Sequence, residues 1–140
     1  MSNKAKELLN NGVALAVVNG GKTELFYDSG IKRLLVLTSE PESVLDGADV
    51  ADKIVGKAAA LLMVKGGVKN VYAEVLSKSA IAVFERYGVP YSFGTLTDRI
   101  INRRGDDVCP MEKTVACIDE PEAAYPALRS ALAALGIQID

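Results

Sequence analysis

The chain has no histidine and no tryptophan among its 140 residues. Histidine is the base of Ser-His-Asp and Cys-His catalytic groups, the usual proton carrier near neutral pH and a common metal ligand. The absence of histidine therefore excludes those catalytic groups and every histidine-ligated metal site.

Cysteine is also scarce, since Cys109 and Cys117 are the only two. If the segment between them is helical, eight residues span about 12 Å, whereas a disulfide needs Cα atoms within roughly 7 Å. Two thiols without histidine also fall short of a zinc set, although carboxylates could complete one. We therefore expect no disulfide between these cysteines, no bound metal and no cofactor.

Long hydrophobic runs are missing. The longest nearly apolar stretch, Ala58 to Val64, is far shorter than the roughly 20 residues that cross a bilayer. Met1 to Glu7 contains no apolar signal region. We expect a cytoplasmic protein without a membrane partner.

The chain has no excess of basic residues: it contains 16 Lys and Arg and 18 Asp and Glu, which gives a net charge of −2. The loop Arg103 to Asp107 nearly cancels its own charge, so no nucleic-acid partner is expected. With 49% hydrophobic and 24% charged residues, the composition is that of a globular protein, and the length suits one domain over 1–140.

Strand patterns are clear in three places. Two apolar runs, 13–18 and 23–27, flank Asn19-Gly20-Gly21-Lys22, and an Asn-Gly turn between such runs predicts a β-hairpin. Segments 68–77 and 91–97 predict two further strands.

Helical periodicity and capping residues predict the remaining elements. A short helix is expected over Ser2–Asn11, another from Ser29 to the break at Pro41, and a central helix from about Val50 to Lys65. Ser77 caps a helix that Gly88 closes, and Pro110 suits the first turn of the next one.

The last helical segment begins at Asp119–Glu122, which is an aspartate version of the capping box. Pro126 is expected to interrupt or restart this segment, because an interior proline costs a helix about 3 kcal/mol. Leu128, Leu132 and Leu135 form its expected buried stripe. Helices alternating with strands after a hairpin predict an α/β fold, a three-layer α/β/α sandwich around a mixed sheet.

Three segments together resemble a small prokaryotic family of uncharacterised proteins described as having a cytidine-deaminase-like fold. They are Val50-Ala-Asp-Lys-Ile-Val-Gly-Lys-Ala-Ala-Ala-Leu-Leu62, Tyr72-Ala-Glu-Val-Leu-Ser-Lys-Ser-Ala80, and Ile101-Asn-Arg103 followed by Cys109-Pro-Met-Glu-Lys113. The resemblance covers the chain to about residue 118. It implies a cytidine-deaminase-like fold.

The resemblance also has consequences for chemistry. Zinc deaminases place H-x-E at the start of one core helix and P-C-x-x-C at the start of the next. The corresponding regions here are roughly 51–53 and 76–79, and neither contains a zinc ligand set or the proton-carrying glutamate. Without a metal, nothing lowers the pKa of an attacking water from about 15.7 towards 7. Zinc-dependent deamination is therefore excluded.

In such a fold, two helix N-termini, near Val50 and near Ser77, would converge on one end of the sheet. Helix N-termini favour phosphate or carboxylate ligands. We expect a nucleotide-like or sugar-phosphate ligand in that cleft. The residues expected to line it are Asp52, Lys53, Lys57, Ser77, Lys78, Ser79, Asn102 and Arg103. Each also has an ordinary structural explanation as a cap or a solvated side chain.

Asp52 is the first of these to mutate. It is expected in the first turn of the central helix, where a negative charge is stabilised by about 0.3–1 kcal/mol. It could bind a ribose hydroxyl or orient Lys53.

Two other functions remain open. A cysteine just before a helix can have a lowered pKa, so Cys109 could be a nucleophile assisted by Glu112 or a neighbouring lysine; it could equally be a buried structural cysteine. Alternatively, the domain could be a structural module whose exposed strand edge pairs with a second copy in a homodimer.

Overall fold

The computed structural model describes residues 3–28, 31–40, 42–101 and 105–137. Its strands are β1 (Leu15–Asn19), β2 (Lys22–Phe26), β3 (Asp49–Val55), β4 (Asn70–Ser77) and β5 (Tyr91–Thr97). Its helices are α1 (Ile31–Ser39), α2 (Lys57–Gly66), α3 (Lys78–Tyr87), α4 (Pro110–Thr114) and α5 (Pro121–Ala134), preceded by a 3-10 turn at Lys6–Leu8.

The five strands form one mixed sheet in the order β2-β1-β3-β4-β5. The β1–β2 hairpin is antiparallel, and Asn19 pairs with Lys22 across the glycine turn as the sequence predicts. Strand β3 runs antiparallel to β1 and parallel to β4, which is parallel to β5. The carboxyl ends of β3, β4 and β5 therefore lie together at one end of the sheet.

Alternation along the strands gives the sheet two different faces. Val17 and its register partner Val50 belong to the main core, which all the long helices share. Ala16 and its partner Ala51 belong to a smaller cluster with Ala5, beside the 3-10 turn. Asp52 is paired with Leu15, a main-core residue, and so lies on the helix side of the sheet.

Helix α2 lies at the centre of the main core. Its residues from Ala58 to Met63 are all buried, because α1, α3 and α5 pack around it. The predicted α/β class with a mixed sheet is confirmed, and the arrangement is consistent with the predicted three-layer sandwich. In the part of the chain that the structure describes, no helix is long and apolar enough to cross a membrane.

The predicted central helix over Val50–Lys65 is wrong in its first half. Residues 49–55 form strand β3, and the helix begins only at Lys57, after Gly56. The strand pairs on both sides, with β1 and with β4, and this tertiary pairing overrides the local helical pattern. Two consecutive buried elements joined by one glycine look like a single apolar helix in the sequence.

Smaller corrections concern the ends of the chain. The helix expected over Ser2–Asn11 is reduced to the 3-10 turn at Lys6–Leu8. The capping box expected at Asp119–Glu122 is absent, because α5 is preceded by Glu120 without a side-chain cap.

Pro126 does not interrupt α5 but lies inside it. It is exposed, so the carbonyl that loses its amide partner lies on the solvent side while Leu128 and Leu132 remain buried. Leu135 was expected in the same buried stripe, but it is the C-cap residue and is 57% exposed.

Candidate functional site

Helices α2 and α3 begin at the same end of the sheet, because each follows the carboxyl end of a parallel strand. Two helix starts therefore do meet there, as expected, although α2 starts at Lys57 and not near Val50. The free backbone amides at each start decide whether an anion can bind.

The N-terminus of α2 is filled by a side chain of the protein itself. Glu112 of α4 accepts hydrogen bonds from the amides of Lys57 and Ala58, both at 2.8 Å. Gly56 makes this approach feasible: a Cβ there would lie 2.5 Å from Glu112 Oε1 and 2.7 Å from Ile100 Cγ1. The absence of a side chain at Gly56 thus leaves the space that the Glu112 carboxylate occupies.

The N-terminus of α3 is also satisfied internally. Ser77 is fully buried, and its Oγ accepts the amide of Ala80 at 3.1 Å. The hydroxyls of Ser77 and Ser79 lie 3.0 Å apart. Lys78 is exposed and pairs with Asp98 at 2.8 Å. These contacts fit the capping role that was the structural alternative for Ser77.

Lys57 and Ser79 line a separate hollow of about 250 Å³. Lys57 Nζ lies 2.9 Å from Asp119 Oδ1 and donates to the carbonyl of Ala116 at 3.1 Å. The Lys57 ammonium therefore already has an anionic and a neutral acceptor.

A cavity of about 440 Å³ lies on the helix side of β3, and we call it the Asp52 cavity. Its lining residues come from strand β3, from helices α1 and α2, from positions flanking β1 and β2, and from the segment around α4. Its lining consists of Gly12, Ala14, Tyr27, Ile31, Leu34, Asp52, Lys53, Ile54, Gly56, Ala59, Ile100, Cys109, Met111 and Glu112.

Among the polar side chains of this cavity, Asp52 has a strongly raised pKa. Desolvation by burial raises its pKa from 3.8 to about 7, and the backbone amides of Ile54 and Lys53 only partly oppose this effect. Within the described ranges, no salt bridge or side-chain hydrogen bond to this carboxyl is present. Asp52 is thus a carboxyl group that faces an apolar cavity and is close to half-ionised at neutral pH.

The predicted site residues are divided by the structure into separate groups. Asp52 and Lys53 line the Asp52 cavity, together with the two catalytic candidates Cys109 and Glu112. Lys57, Ser77, Lys78 and Ser79 do not line it. Asn102 and Arg103 lie outside the described residues.

The expected position of Asp52 in the first turn of a helix is wrong, since Asp52 belongs to strand β3. The helix dipole therefore does not explain it. Segment 51–53, which the deaminase resemblance matched to the first zinc motif, is likewise strand and not a helix start. The described residues contain no group of three His, Cys, Asp or Glu that could hold a metal ion.

The thiol chemistry proposed for Cys109 loses one of its assisting groups. Cys109 precedes α4 and its amide donates to the carbonyl of Ile100 at 2.9 Å. Both carboxylate oxygens of Glu112 accept amides from α2, so Glu112 serves as a helix cap and is not a free base.

Sequence reasoning missed the apolar walls of the cavity. Ile31 and Leu34 come from α1, while Ile100 and Met111 come from the distant α4 region. Ile31 and Leu34 carried a signal, since they share one face of a predicted helix, but no local pattern shows that this face meets Asp52.

Comparison with known proteins identifies relatives without a described activity. A family model described as "TM1506: Domain of unknown function (DUF1893)" matches residues 3–132. A solved structure of a DUF1893 family protein, TM1506 from Thermotoga maritima, is 31% identical in sequence, with a TM-score of 0.76. The alignment covers 84% of this chain and 80% of that chain. No curated protein matches the chain. These comparisons do not name a cytidine-deaminase-like fold, so that fold stays a prediction.

Proposed function

Because the chain belongs to the TM1506 family, a domain of unknown function (DUF1893), we propose its function from the Asp52 cavity: the protein binds a small nucleoside-type molecule there. The ligand's hydroxyl or amino groups donate hydrogen bonds to Asp52, and its ring packs against the apolar walls.

The main support for this proposal is the raised pKa of the Asp52 carboxyl, which lines an apolar cavity. A carboxyl group with a pKa of about 7 is costly to keep ionised in an apolar cavity, and a structural role would be served better by asparagine or by a paired charge. Hydrogen-bond donors on a ligand add to the backbone amides of Ile54 and Lys53, which only partly stabilise the carboxylate. Perturbed carboxyls in clefts are typical of functional sites.

The size and lining of the cavity support a ligand of nucleoside size. A volume of about 440 Å³ lies in the usual range for small-molecule sites, roughly 300–1,000 Å³. Such sites combine apolar walls with a few polar groups that fix orientation. Here Ile31, Leu34 and Met111 are walls, and Asp52 is the orienting group.

The chemistry of the helix starts favours the nucleoside over its phosphorylated forms. Glu112 occupies the amides of α2, and the Ser77 hydroxyl caps α3. Lys53 is the one cationic side chain among the described residues of the cavity lining. A phosphate would have to displace Glu112 or rely on Lys53, whereas a neutral nucleoside needs neither.

The test is a thermal-unfolding panel of nucleosides, mononucleotides and sugar phosphates on three proteins: wild type, Asp52→Asn and Asp46→Asn. Asp46 is exposed and does not line the cavity, so Asp46→Asn is a matched control. We expect nucleosides to raise the Tm of wild type and of Asp46→Asn, because a ligand that binds the native state stabilises it by mass action. Asp52→Asn should not respond.

Native mass spectrometry of freshly purified wild type provides an independent readout, since a retained ligand adds a discrete mass. If no member of the panel shifts any of the three proteins and no mass is retained, the proposal fails. If Asp52→Asn responds as wild type does, Asp52 is not the binding group.

A further inference from the structure

The two edges of the sheet are protected differently. Edge strand β2 carries Lys22 and Glu24, and charged residues on an edge discourage pairing with another chain. Edge strand β5 has no charged residue and no proline. Its Phe93 and Leu96 are 40% and 41% exposed. Strand β5 itself therefore has neither the charged residues nor the proline that often prevent edge-to-edge association.

The backbone of β5 is available along this edge. Val71 of β4 donates its amide to the carbonyl of Pro90 at 3.0 Å and is the register partner of Tyr91. In a parallel ladder, alternate residues direct their N–H and C=O groups to opposite sides. The residues that direct these groups to the open edge are Tyr91, Phe93, Thr95 and Thr97.

The sequence of β5 is compatible with antiparallel pairing to itself. A twofold axis at Gly94 sets Tyr91 opposite Thr97 and Phe93 opposite Thr95 of the other copy. The outward backbone groups then meet as hydrogen-bonded pairs. Both of these pairs join an aromatic and a β-branched side chain, a favourable combination, while Leu96 lies opposite Ser92 and no charged residue is present in the strand.

The same arrangement also brings together charged side chains that lie at opposite ends of β5. Tyr91 Oη donates to Glu85 at 2.7 Å, so Glu85 lies near the start of the strand. Lys78 pairs with Asp98 at 2.8 Å, so Lys78 lies near its end. The twofold axis brings the Glu85 of each copy towards the Lys78 of the other.

We propose that β5 is the pairing strand of a homodimer, joining two copies of the five-stranded sheet into one continuous sheet. The occupant of this edge is a second copy of the chain, because strand self-complementarity and the positions of Glu85 and Lys78 both favour the same sequence on the other side.

Light scattering coupled to gel filtration tests the proposal on wild type, Leu96→Lys and Leu25→Lys. Leu25 is 39% exposed on the opposite edge strand and is a matched control for Leu96. Wild type and Leu25→Lys should have the mass of a dimer, whereas Leu96→Lys should have that of a monomer with an unchanged circular dichroism spectrum. A monomeric wild type, or a Leu96→Lys variant that remains dimeric, overturns the proposal.

A charge exchange tests the register. Lys78→Glu and Glu85→Lys should each raise the dimer Kd several-fold, because each places like charges at both ends of the seam. The double variant should restore the Kd towards that of wild type. Single variants that dimerise as tightly as wild type, or a double variant weaker than either single one, contradict the antiparallel register about Gly94.

Discussion

At the scale of single residues, the proposed binding site depends on the carboxyl group of Asp52. Asp52 is half-buried on the helix side of β3, and the resulting desolvation raises its pKa to about 7. The amides of Ile54 and Lys53 compensate only part of the cost of ionising Asp52, so its ionisation reduces stability. This cost favours a binding role over a structural one.

Replacing Asp52 should therefore stabilise the protein while removing ligand binding. We expect Asp52→Asn to raise the free energy of unfolding at pH 8 by roughly 2–4 kcal/mol, since each tenfold change in proton affinity corresponds to about 1.4 kcal/mol and partial solvent contact through the cavity reduces the full effect. Urea unfolding of Asp52→Asn beside Asp46→Asn measures this. A variant less stable than wild type would assign Asp52 a structural role.

Gly56 is a second residue whose identity the geometry requires. A Cβ at this position meets Glu112 and Ile100, whereas a Cβ at Gly21 meets nothing within 4 Å. Gly56→Ala should destabilise the protein by about 1–3 kcal/mol, the usual cost of overpacking, and Gly21→Ala should change stability by less than about 1 kcal/mol. Chemical denaturation of both variants checks the difference. Equal stabilities would show that Glu112 and Ile100 move aside at little cost.

At the scale of secondary-structure elements, the start of α2 depends on a residue far away in the sequence. Glu112 supplies a charged cap from α4, and hydrogen bonds to charged groups contribute about 1.5–3 kcal/mol each. Together the two bonds fix α4 against α2 at the rim of the cavity.

Glu112→Ala should consequently destabilise the protein by about 2–4 kcal/mol, because two amides of α2 lose their acceptor. Glu122→Ala is the control, since Glu122 forms only a surface pair with Lys65 at 3.4 Å and such pairs contribute about 0–1 kcal/mol. Hydrogen exchange should show faster exchange at the Lys57 and Ala58 amides in Glu112→Ala alone. Unchanged exchange would contradict the capping role.

Local signals account for the elements that the sequence predicts well. The hairpin follows from Asn19-Gly20, α3 from its Ser77 cap and Gly88 end, and β5 from its alternating pattern. Strand β3 was not predictable in the same way, because its pairing with β1 and β4 is nonlocal and its residues Asp49–Val55 run into a helix after a single glycine.

The candidate site was only partly predictable for the same reason. Asp52 was identified as the carboxyl to mutate, but for a helical position that it does not occupy. The capping of α2 by Glu112 joins positions more than 50 residues apart. No periodicity or spacing encodes such a contact, so the free anion site expected at α2 could not be rejected from the sequence.

At the scale of the whole molecule, two sets of carboxyl groups make the stability depend on pH, each over a different pH range. Asp98, Asp107 and Asp119 have pKa values lowered by their lysine partners, so their contribution is lost as the pH falls below about 4. Asp52 has a raised pKa, so the folded state holds a proton that the unfolded state releases between about pH 4 and pH 7.

The free energy of unfolding of wild type should therefore decrease as the pH rises from about 4 to 7 and level off above that range. Asp52→Asn should lack this decrease, so the difference between the two proteins grows with pH over the same interval. The other titratable groups of the cavity lining, Tyr27, Lys53, Cys109 and Glu112, are present in both proteins. Urea unfolding at a series of pH values tests this, and parallel profiles would contradict it.

The ionisation of Asp52 in the folded protein is the property on which the proposed site depends most directly. Titration of its carboxyl carbon by NMR, with the Asp52→Asn spectrum used for assignment, measures that ionisation without a ligand. A midpoint at about pH 7 is predicted from the burial of Asp52 beside the cavity. A midpoint near the ordinary aspartate value of 3.8 would show a solvated surface carboxyl and would contradict the proposed site.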